Sequence, residues 1–194
     1  MVHLSLLLLL SAADGAHFNK AGEVEFPADY REWVFLTAGL GMTYGTPQAA
    51  SATSPPWDNV FVNPTAYRAF KQTGVWPEGA MFILEIRESA SEGSINKGGS
   101  FQTKLLRIEA AVKDTKRYPK GWGYFHFKGR DEQPRASAAP LEAKAGCQAC
   151  HSANGAVENT FVQFYPELLD VAKAKGVLKP DFQKDPLHIR HASR

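Results

Sequence analysis

The segment AMFILEIRES, residues 80–89, carries the pattern that does most to determine the fold. It begins with an uninterrupted apolar run, which is typical of a buried strand, and the turn residues WPEG precede it at 76–79. A second segment, GWGYFHFKG at 121–129, alternates in polarity and is rich in aromatic residues, which also favours a strand. Together the two segments predict a core that is rich in β-structure.

The residues around these strands predict additional strands and helices. NVFVN at 59–63 is a short strand, and the Asn-Pro that ends it starts a helix, PTAYRAFKQTG at 64–74, which Gly74 closes. FQTKLLRIEAAVKD at 101–114 is expected to be extended, although its middle is also compatible with a helix. TFVQFYPELLDVAKAKG at 160–176 predicts a C-terminal helix.

Near the N-terminus, FPADYREWVFLTAG at 26–39 predicts a short helix, with Asp29 as its N-cap and an apolar face that begins at Trp33. The stretch 44–58 is rich in Gly, Pro, Ser and Thr and is predicted to be the loop that ends this helix. We therefore expect a mainly β (α+β) fold, with a β-rich core and helices near the N- and C-terminal ends.

Length and charge exclude some broad classes of function. The chain of 194 residues is long enough for one compact domain with a sizeable core and too short for two comfortable ones. The formal net charge is only +2, and the basic residues are scattered along the chain. We therefore expect no nucleic-acid partner and no membrane-surface partner.

The first residues, MVHLSLLLLLSAADGAH, indicate export. The apolar run Leu4–Leu10 has the length of a signal-peptide core and is too short to span a bilayer, and small residues follow it at Ala12, Ala13 and Ala16. No Lys or Arg precedes the run, and a buried N-terminal helix is the alternative. We expect a signal peptide at 1–16 and a periplasmic or secreted mature protein.

The segment CQACHSANG, residues 147–155, has the spacing for covalent haem attachment. Two thiols separated by two residues can add to both vinyl groups of one porphyrin, and a histidine directly after the second thiol can reach the iron. A zinc site would need a second ligand pair, which the two cysteines and the remaining histidines do not supply. A thioredoxin-like redox pair would normally open a helix within a βαβ unit, and a chance match is the last alternative.

The residue that faces the iron opposite this histidine decides between electron transfer and ligand binding. Electron carriers usually have two strong axial ligands, whereas a haem that binds small molecules leaves one side open. No Met follows His151, and Met81 lies in an apolar strand where core packing explains it. His126 could enter the pocket, but a place at the surface or the core edge is the simpler explanation. The sequence therefore favours an open, five-coordinate haem.

Several separated segments resemble the cytochrome P-460 family over residues 24–170. These segments are DYREWVFLTAG (29–39), NVFVNPTAYRAFKQTGVWPEG (59–79), LRIEAAVKDTKRYPKGWGYFHF (106–127) and CQACHSANGAVENTFVQFYP (147–166). The resemblance implies a mainly antiparallel β-sheet, a homodimer and one c-type haem near the C-terminus. It also implies that Cys147 and Cys150 are the thioether attachments and that His151 is the proximal iron ligand. The expected domain covers 24–180, and 181–194 is a polar tail.

The resemblance also suggests what faces the open side of the haem. Members that oxidise hydroxylamine have a lysine bonded to the porphyrin edge, and alignment of PEGAMFILEIRES places Leu84 at that position. A leucine cannot form this bond, although another lysine such as Lys97 or Lys104 could approach the porphyrin. Relatives without the lysine, the beta-type c-prime cytochromes, bind nitric oxide under an apolar cap. The candidates for such a cap are Phe61, Phe82 and Leu84.

Three functions are compatible with these residues. The first is a haem protein that binds small nitrogen-oxide ligands such as nitric oxide. The second is an oxidoreductase that oxidises hydroxylamine or nitric oxide, with Glu142, nine positions before His151, as the proton acceptor. The third is an electron-transfer cytochrome, for which a strong sixth ligand is not evident. A soluble redox partner is possible for each of them.

Overall fold

The computed structural model describes residues 14–43 and 54–187. The predicted signal peptide at 1–16 lies almost entirely outside the described residues, as do most of the predicted loop at 44–58 and the end of the predicted tail at 181–194. In the described part of the chain, a helix with the length and hydropathy of a membrane span is absent.

The regular structure consists of a five-stranded antiparallel sheet, a small two-stranded pairing and α-helices that pack against the sheet. The strands are β1 (Val24–Glu25), β2 (Val34–Leu40), β3 (Trp57–Val62), β4 (Met81–Ala90), β5 (Phe101–Lys113), β6 (Trp122–Lys128) and β7 (Ser137–Ala138), and the helices are α1 (Pro64–Thr73), α2 (Cys147–Asn154) and α3 (Pro166–Lys175). The main sheet has the order β2-β3-β4-β5-β6, and β1 pairs with β7. Neighbouring strands are antiparallel throughout. The predicted mainly β fold is confirmed.

Most of the predicted elements are present. The strands expected at 80–89 and 121–129 are β4 and β6, and the segment 101–114 is extended as β5. Helix α1 follows Asn63 and ends at Gly74, whose φ of 76° is easily adopted only by a residue without a side chain. The C-terminal helix begins later than predicted, at Pro166, after a short 3-10 turn.

The helix predicted at 26–39 is wrong. A single 3-10 turn at Tyr30–Glu32 is followed directly by β2, which pairs along its length with β3. Asp29 precedes the turn, but its side chain makes no capping hydrogen bond. The residues of β2 thus obtain their backbone hydrogen bonds from a strand that is distant in the sequence, which local helix signals cannot reveal.

The alternation of side chains along β4 divides the core into two layers. Phe82 lies in the larger hydrophobic cluster, which fills the space between the sheet, α1 and α3 and includes the buried Trp76. Met81 and Ile83 point to the opposite face and pack in a second cluster with Phe125 of β6. Because successive residues of a strand point to opposite faces, Phe82 and Leu84 face the helices, ahead of the register shifts that follow Ile86.

The second face of the sheet contains a buried carboxylate, Glu85, whose side chain is 1% exposed. It accepts hydrogen bonds from the Tyr30 hydroxyl, the guanidinium groups of Arg31 and Arg87, and the Asn59 amide. A buried charge is tolerated only when it is paired and fully hydrogen-bonded, and these four donors meet that condition. The cluster joins the N-terminal turn to β3 and β4.

We predict that Glu85→Gln destabilises the protein by about 3 kcal/mol, towards the lower end of the roughly 3–5 kcal/mol expected when one member of a buried ion pair is removed. The lower end applies because Arg31 is half exposed and water can solvate its charge. Denaturant unfolding followed by circular dichroism measures the change. Glu88→Gln is the matched control, because Glu88 lies on the same strand and is exposed. Equal losses in the two variants would contradict the assignment.

The pH dependence of stability provides a second test of the same cluster. Burial alone would raise the pKa of Glu85, but hydrogen bonds from Arg87, Tyr30 and Arg31 lower it to about 2 from the usual 4.5. A carboxyl with a lowered folded-state pKa stabilises the protein above its unfolded-state pKa, here by about 3 kcal/mol. This contribution is lost as the pH falls from about 4.5 towards 2. The Glu85→Gln variant should therefore lose less stability than the wild type over this range.

Candidate functional site

A cavity of about 370 Å³ lies between α2 and the face of the sheet that carries Phe82. Strands β3 to β6 form one wall, and that wall is mainly apolar. The other wall contains Cys147, Cys150 and His151 of α2, together with residues of the turn that follows the helix. A neighbouring groove of about 580 Å³ lies beyond Cys150, but it does not include His151. The 370 Å³ cavity is therefore the candidate site.

Helix α2 presents the three residues of the motif to the same cavity. It begins after Gly146, whose φ of 77° lies in the left-handed region that favours glycine. Residues three and four apart share one face of a helix, so Cys147, Cys150 and His151 point in similar directions. The two cysteines are free thiols, and burial raises the pKa of the Cys147 thiol. The sequence analysis identified the motif but did not predict this helix.

The imidazole of His151 is held in a defined orientation. Its Nδ1 lies 2.8 Å from the carbonyl oxygen of Asn159, and because a carbonyl can only accept, Nδ1 carries the hydrogen. The ring lies between Tyr124 and Phe161, with centroid distances of 4.6 and 4.5 Å. Burial lowers the pKa of His151, which favours the neutral form. Nε2 therefore retains a lone pair, as a metal-binding imidazole requires.

Tight packing fixes the chain that follows α2. A Cβ on Gly155 would lie 2.8 Å from the carbonyl oxygen of His151, which is closer than a side chain can approach, so only glycine fits here. The buried side chain of Gln163 donates to the Asn154 carbonyl at 2.6 Å and accepts from the Ala156 amide at 3.0 Å. These contacts hold the turn against the C-terminal end of the helix.

The residues of the cavity fit a haem group. A neutral imidazole lies beside two unpaired thiols, and the opposite wall offers apolar surface to a flat macrocycle. The Tyr124 hydroxyl is buried and lines the cavity without a hydrogen bond of normal geometry among the described residues, although the Asn159 side chain lies near it. Such a group is usually satisfied by a bound molecule or water. Burial raises the pKa of Tyr124, so the hydroxyl stays protonated.

The predicted cap residues are only partly brought together. Phe82 and Leu84 share one face of β4, as predicted, and both line the cavity. Phe61 does not line it: its ring packs in the second cluster against Tyr30 and Phe35, on the opposite face of the sheet. In the β3–β4 register, Phe61 is the partner of an odd-numbered residue of β4, whereas Val60 pairs with Leu84 and lines the cavity.

The predicted proton acceptor also lies away from the cavity. The Glu142 side chain is 74% exposed and pairs with Lys144 at 2.8 Å. The carboxylate that lines the cavity is Glu109, on β5 between the cross-strand neighbours Leu84 and His126. The sequence analysis missed Glu109, because its position depends on how β5 pairs with β4 and β6. The alternation of Glu109 with Ala111 along β5 is the signal that could have placed both side chains on one face of the sheet.

The described lining residues include no second His, no Met and no Lys that could ligate the iron. Met81 is fully buried in the second cluster, and the Nε2 atom of His126 lies 2.7 Å from the Lys128 carbonyl. Lys104 pairs with Asp131, and Lys97 is exposed on the loop before β5. Among the described residues there is also no group of three or more His, Cys, Asp or Glu side chains that could hold a metal ion by themselves.

Comparison with known proteins identifies the family of this chain. A family model described as Cytochrome P-460 matches residues 27–162, which is well over half of the chain. The match contains β2 to β6 and the whole of α2. The search of curated proteins gave no match. The chain belongs to the cytochrome P-460 family and is therefore a haem-iron cytochrome.

Proposed function

We propose that the protein is an exported, mono-haem c-type cytochrome that binds small nitrogen-oxide ligands such as nitric oxide. The observation that carries this proposal is the asymmetry of the cavity: one wall holds a neutral imidazole, and the opposite wall is mainly apolar and has no Met, Lys or second His among the described residues. Bound there, haem would supply an iron centre that can bind a small ligand on its open side and change its oxidation state.

In this proposal Cys147 and Cys150 attach the haem through thioether bonds, and His151 holds the iron through Nε2. The support is that both thiols are unpaired and line the cavity that contains the imidazole. Asn159 keeps the hydrogen on Nδ1, and the rings of Tyr124 and Phe161 prevent the imidazole from turning.

The apolar wall would select the ligand. Val60, Phe82 and Leu84 offer no hydrogen bond to a bound molecule, so an anion would lose its hydration without compensation, at a cost of roughly several kcal/mol. A small neutral molecule such as nitric oxide has little hydration to lose. The leucine at position 84, together with the absence of lysine from the described lining residues, favours a haem without a bond to a lysine side chain.

A second candidate function is the oxidation of hydroxylamine or nitric oxide, and Glu109 is the observation that favours it. Its carboxylate lines the cavity, is partly exposed and lies 3.6 Å from the Arg107 guanidinium, so it could accept a proton from a bound nitrogen compound and pass it to water. Electrons would leave to an external redox protein. Glu142, the acceptor suggested by the sequence, is less suited to this role because it is exposed and is not among the residues that line the cavity. An electron-transfer cytochrome is a weaker alternative, since a sixth ligand is lacking among the described lining residues.

Export to the periplasm, dimer formation and a soluble redox partner remain part of the proposal. They rest on the leader-like sequence at 1–16 and on family resemblance.

We predict that replacing both cysteines, Cys147→Ser with Cys150→Ser, leaves a haem that acidified organic solvent extracts. The wild type, matured in a host with a working attachment system, should retain its haem because two thioether bonds hold it. Each single variant serves as a control, because one remaining thiol is expected to keep the haem attached. Retention of covalent haem by the double variant would refute the attachment.

We also predict that the purified ferric protein is high-spin, and that the reduced protein has the ordinary absorption of a c-type haem. The reason is that the wall opposite His151 holds no described Met, His or Lys that could ligate the iron or bond to the porphyrin. Optical absorption and electron paramagnetic resonance measure both properties. A low-spin spectrum with a methionine–iron charge-transfer band would contradict the open face, and strongly red-shifted absorption would indicate a lysine bond.

Substitutions of Glu109 and Glu142 distinguish ligand binding from oxidation. We predict that Glu109→Gln leaves the affinity for nitric oxide within about threefold, because a neutral ligand needs no proton acceptor, but reduces any hydroxylamine oxidation by about 10²-fold or more. Glu142→Gln is the matched control and should retain both properties. If Glu142→Gln abolishes turnover and Glu109→Gln does not, Glu142 is the proton acceptor. Absence of turnover in the wild type would leave ligand binding as the function.

A further inference from the structure

The carbonyl that orients His151 belongs to a tight turn between α2 and α3. Val157 and Thr160 form reciprocal backbone hydrogen bonds, from the Thr160 amide at 2.9 Å and from the Val157 amide at 3.4 Å. Glu158 and Asn159 lie at the centre of this turn. The direction of the Asn159 carbonyl, and hence the hydrogen bond to Nδ1 of His151, depends on the conformation of this whole turn, which includes the backbone at Glu158.

Glu158 has an unfavourable backbone conformation. Its φ is 50°, and Ser94 is the other non-glycine residue with a positive φ among those described. This left-handed region is usually occupied by Gly, Asn or Asp, so a glutamate there needs a compensating interaction. Its side chain provides one, because the carboxylate pairs with the ammonium group of Lys113 at 2.8 Å. Both side chains are largely buried, with 28% and 12% exposed.

Lys113 connects the Glu158 carboxylate to the main sheet. It is the last residue of β5, and its Nζ also donates to the Trp76 carbonyl at 2.8 Å. Trp76 is 1% exposed and stacks on Phe70 at 4.1 Å, and its indole nitrogen donates to the Thr160 hydroxyl at 3.0 Å. The turn is thus held at Glu158 and at Thr160 by groups that the sheet and α1 fix in place.

We propose that Glu158 and Lys113 are positioning residues for the iron ligand. Their ion pair holds the turn in its left-handed conformation, so that the Asn159 carbonyl accepts from Nδ1 of His151 and strengthens the imidazole as a donor through Nε2. Neither side chain is among the residues that line the cavity. Removal of either member frees the turn to relax and weakens this hydrogen bond. The inference rests on the proposed role of His151 as the iron ligand.

The test compares the reduction potential and the iron–histidine stretching band of the reduced holoprotein in Glu158→Gln and Lys113→Met. Loss of the ion pair should shift the band to lower frequency and raise the potential in both variants, because a weaker imidazole donor stabilises the ferric iron less. A through-space charge effect predicts something different. Removal of a cation would lower the potential, and removal of an anion would raise it. Shifts in opposite directions, or an unmoved band in folded variants, would overturn the inference.

Three further variants complete the design. Lys113→Arg keeps the charge and should restore the wild-type band and potential. Glu167→Gln removes a carboxylate that pairs with Lys71 between α1 and α3, away from the cavity, and should leave both readouts unchanged. If Lys113→Met does not fold, Lys113→Gln gives the same test, because its amide can still donate to the Trp76 carbonyl.

A wild-type holoprotein without any iron–histidine band would refute the proposed ligand itself, whereas a normal wild-type band with unmoved variants would refute only the role of the ion pair.

Discussion

The alternation of side chains along β4, at the centre of the sheet, is the constraint on which the rest of the structure depends. Its even-numbered residues include Phe82 and Leu84 and form part of the cavity wall, while Glu85 enters a polar cluster on the opposite face. A shift of the strand by one residue would exchange the faces and bury a carboxylate among aromatic rings. The hydrogen bonds to Glu85 from Tyr30 and from Asn59 of β3 therefore help to specify the register that creates the cavity.

The strands were predictable where the evidence is local. The apolar run at 80–84 and the aromatic alternation at 121–129 indicate strands without knowledge of their partners, and both predictions are confirmed. The helix expected at 26–39 failed because β2 is stabilised by pairing with β3, which no local pattern reports. Phe61 was misplaced for a related reason: its side depends on the pairing of β3 with β4, and only the register shows that Val60 is the residue beside Leu84.

The residues of the candidate site were also predictable only where a local sequence pattern reveals them. Cys147, Cys150 and His151 lie within one five-residue segment, so their spacing alone predicted the chemistry for which they are suited. Tyr124 and Glu109 come from two other strands, and their approach to α2 depends on the packing of the helix against the sheet. Glu142 is close to His151 in sequence, but the turn before α2 leaves it exposed. Distance along the chain was therefore a poor guide to which carboxylate faces the cavity.

The turn after α2 is held by hydrogen bonds within the chain. The Asn159 carbonyl accepts from His151, the Gln163 side chain donates to the Asn154 carbonyl, and Lys113 donates to the Glu158 carboxylate. The conformational entropy of ordering this segment is therefore lost during folding, and little remains to be lost when the prosthetic group is inserted. Such preorganisation makes insertion sensitive to the integrity of a few loop contacts. A substitution that loosens them would lower the yield of mature protein even where the sheet remains intact.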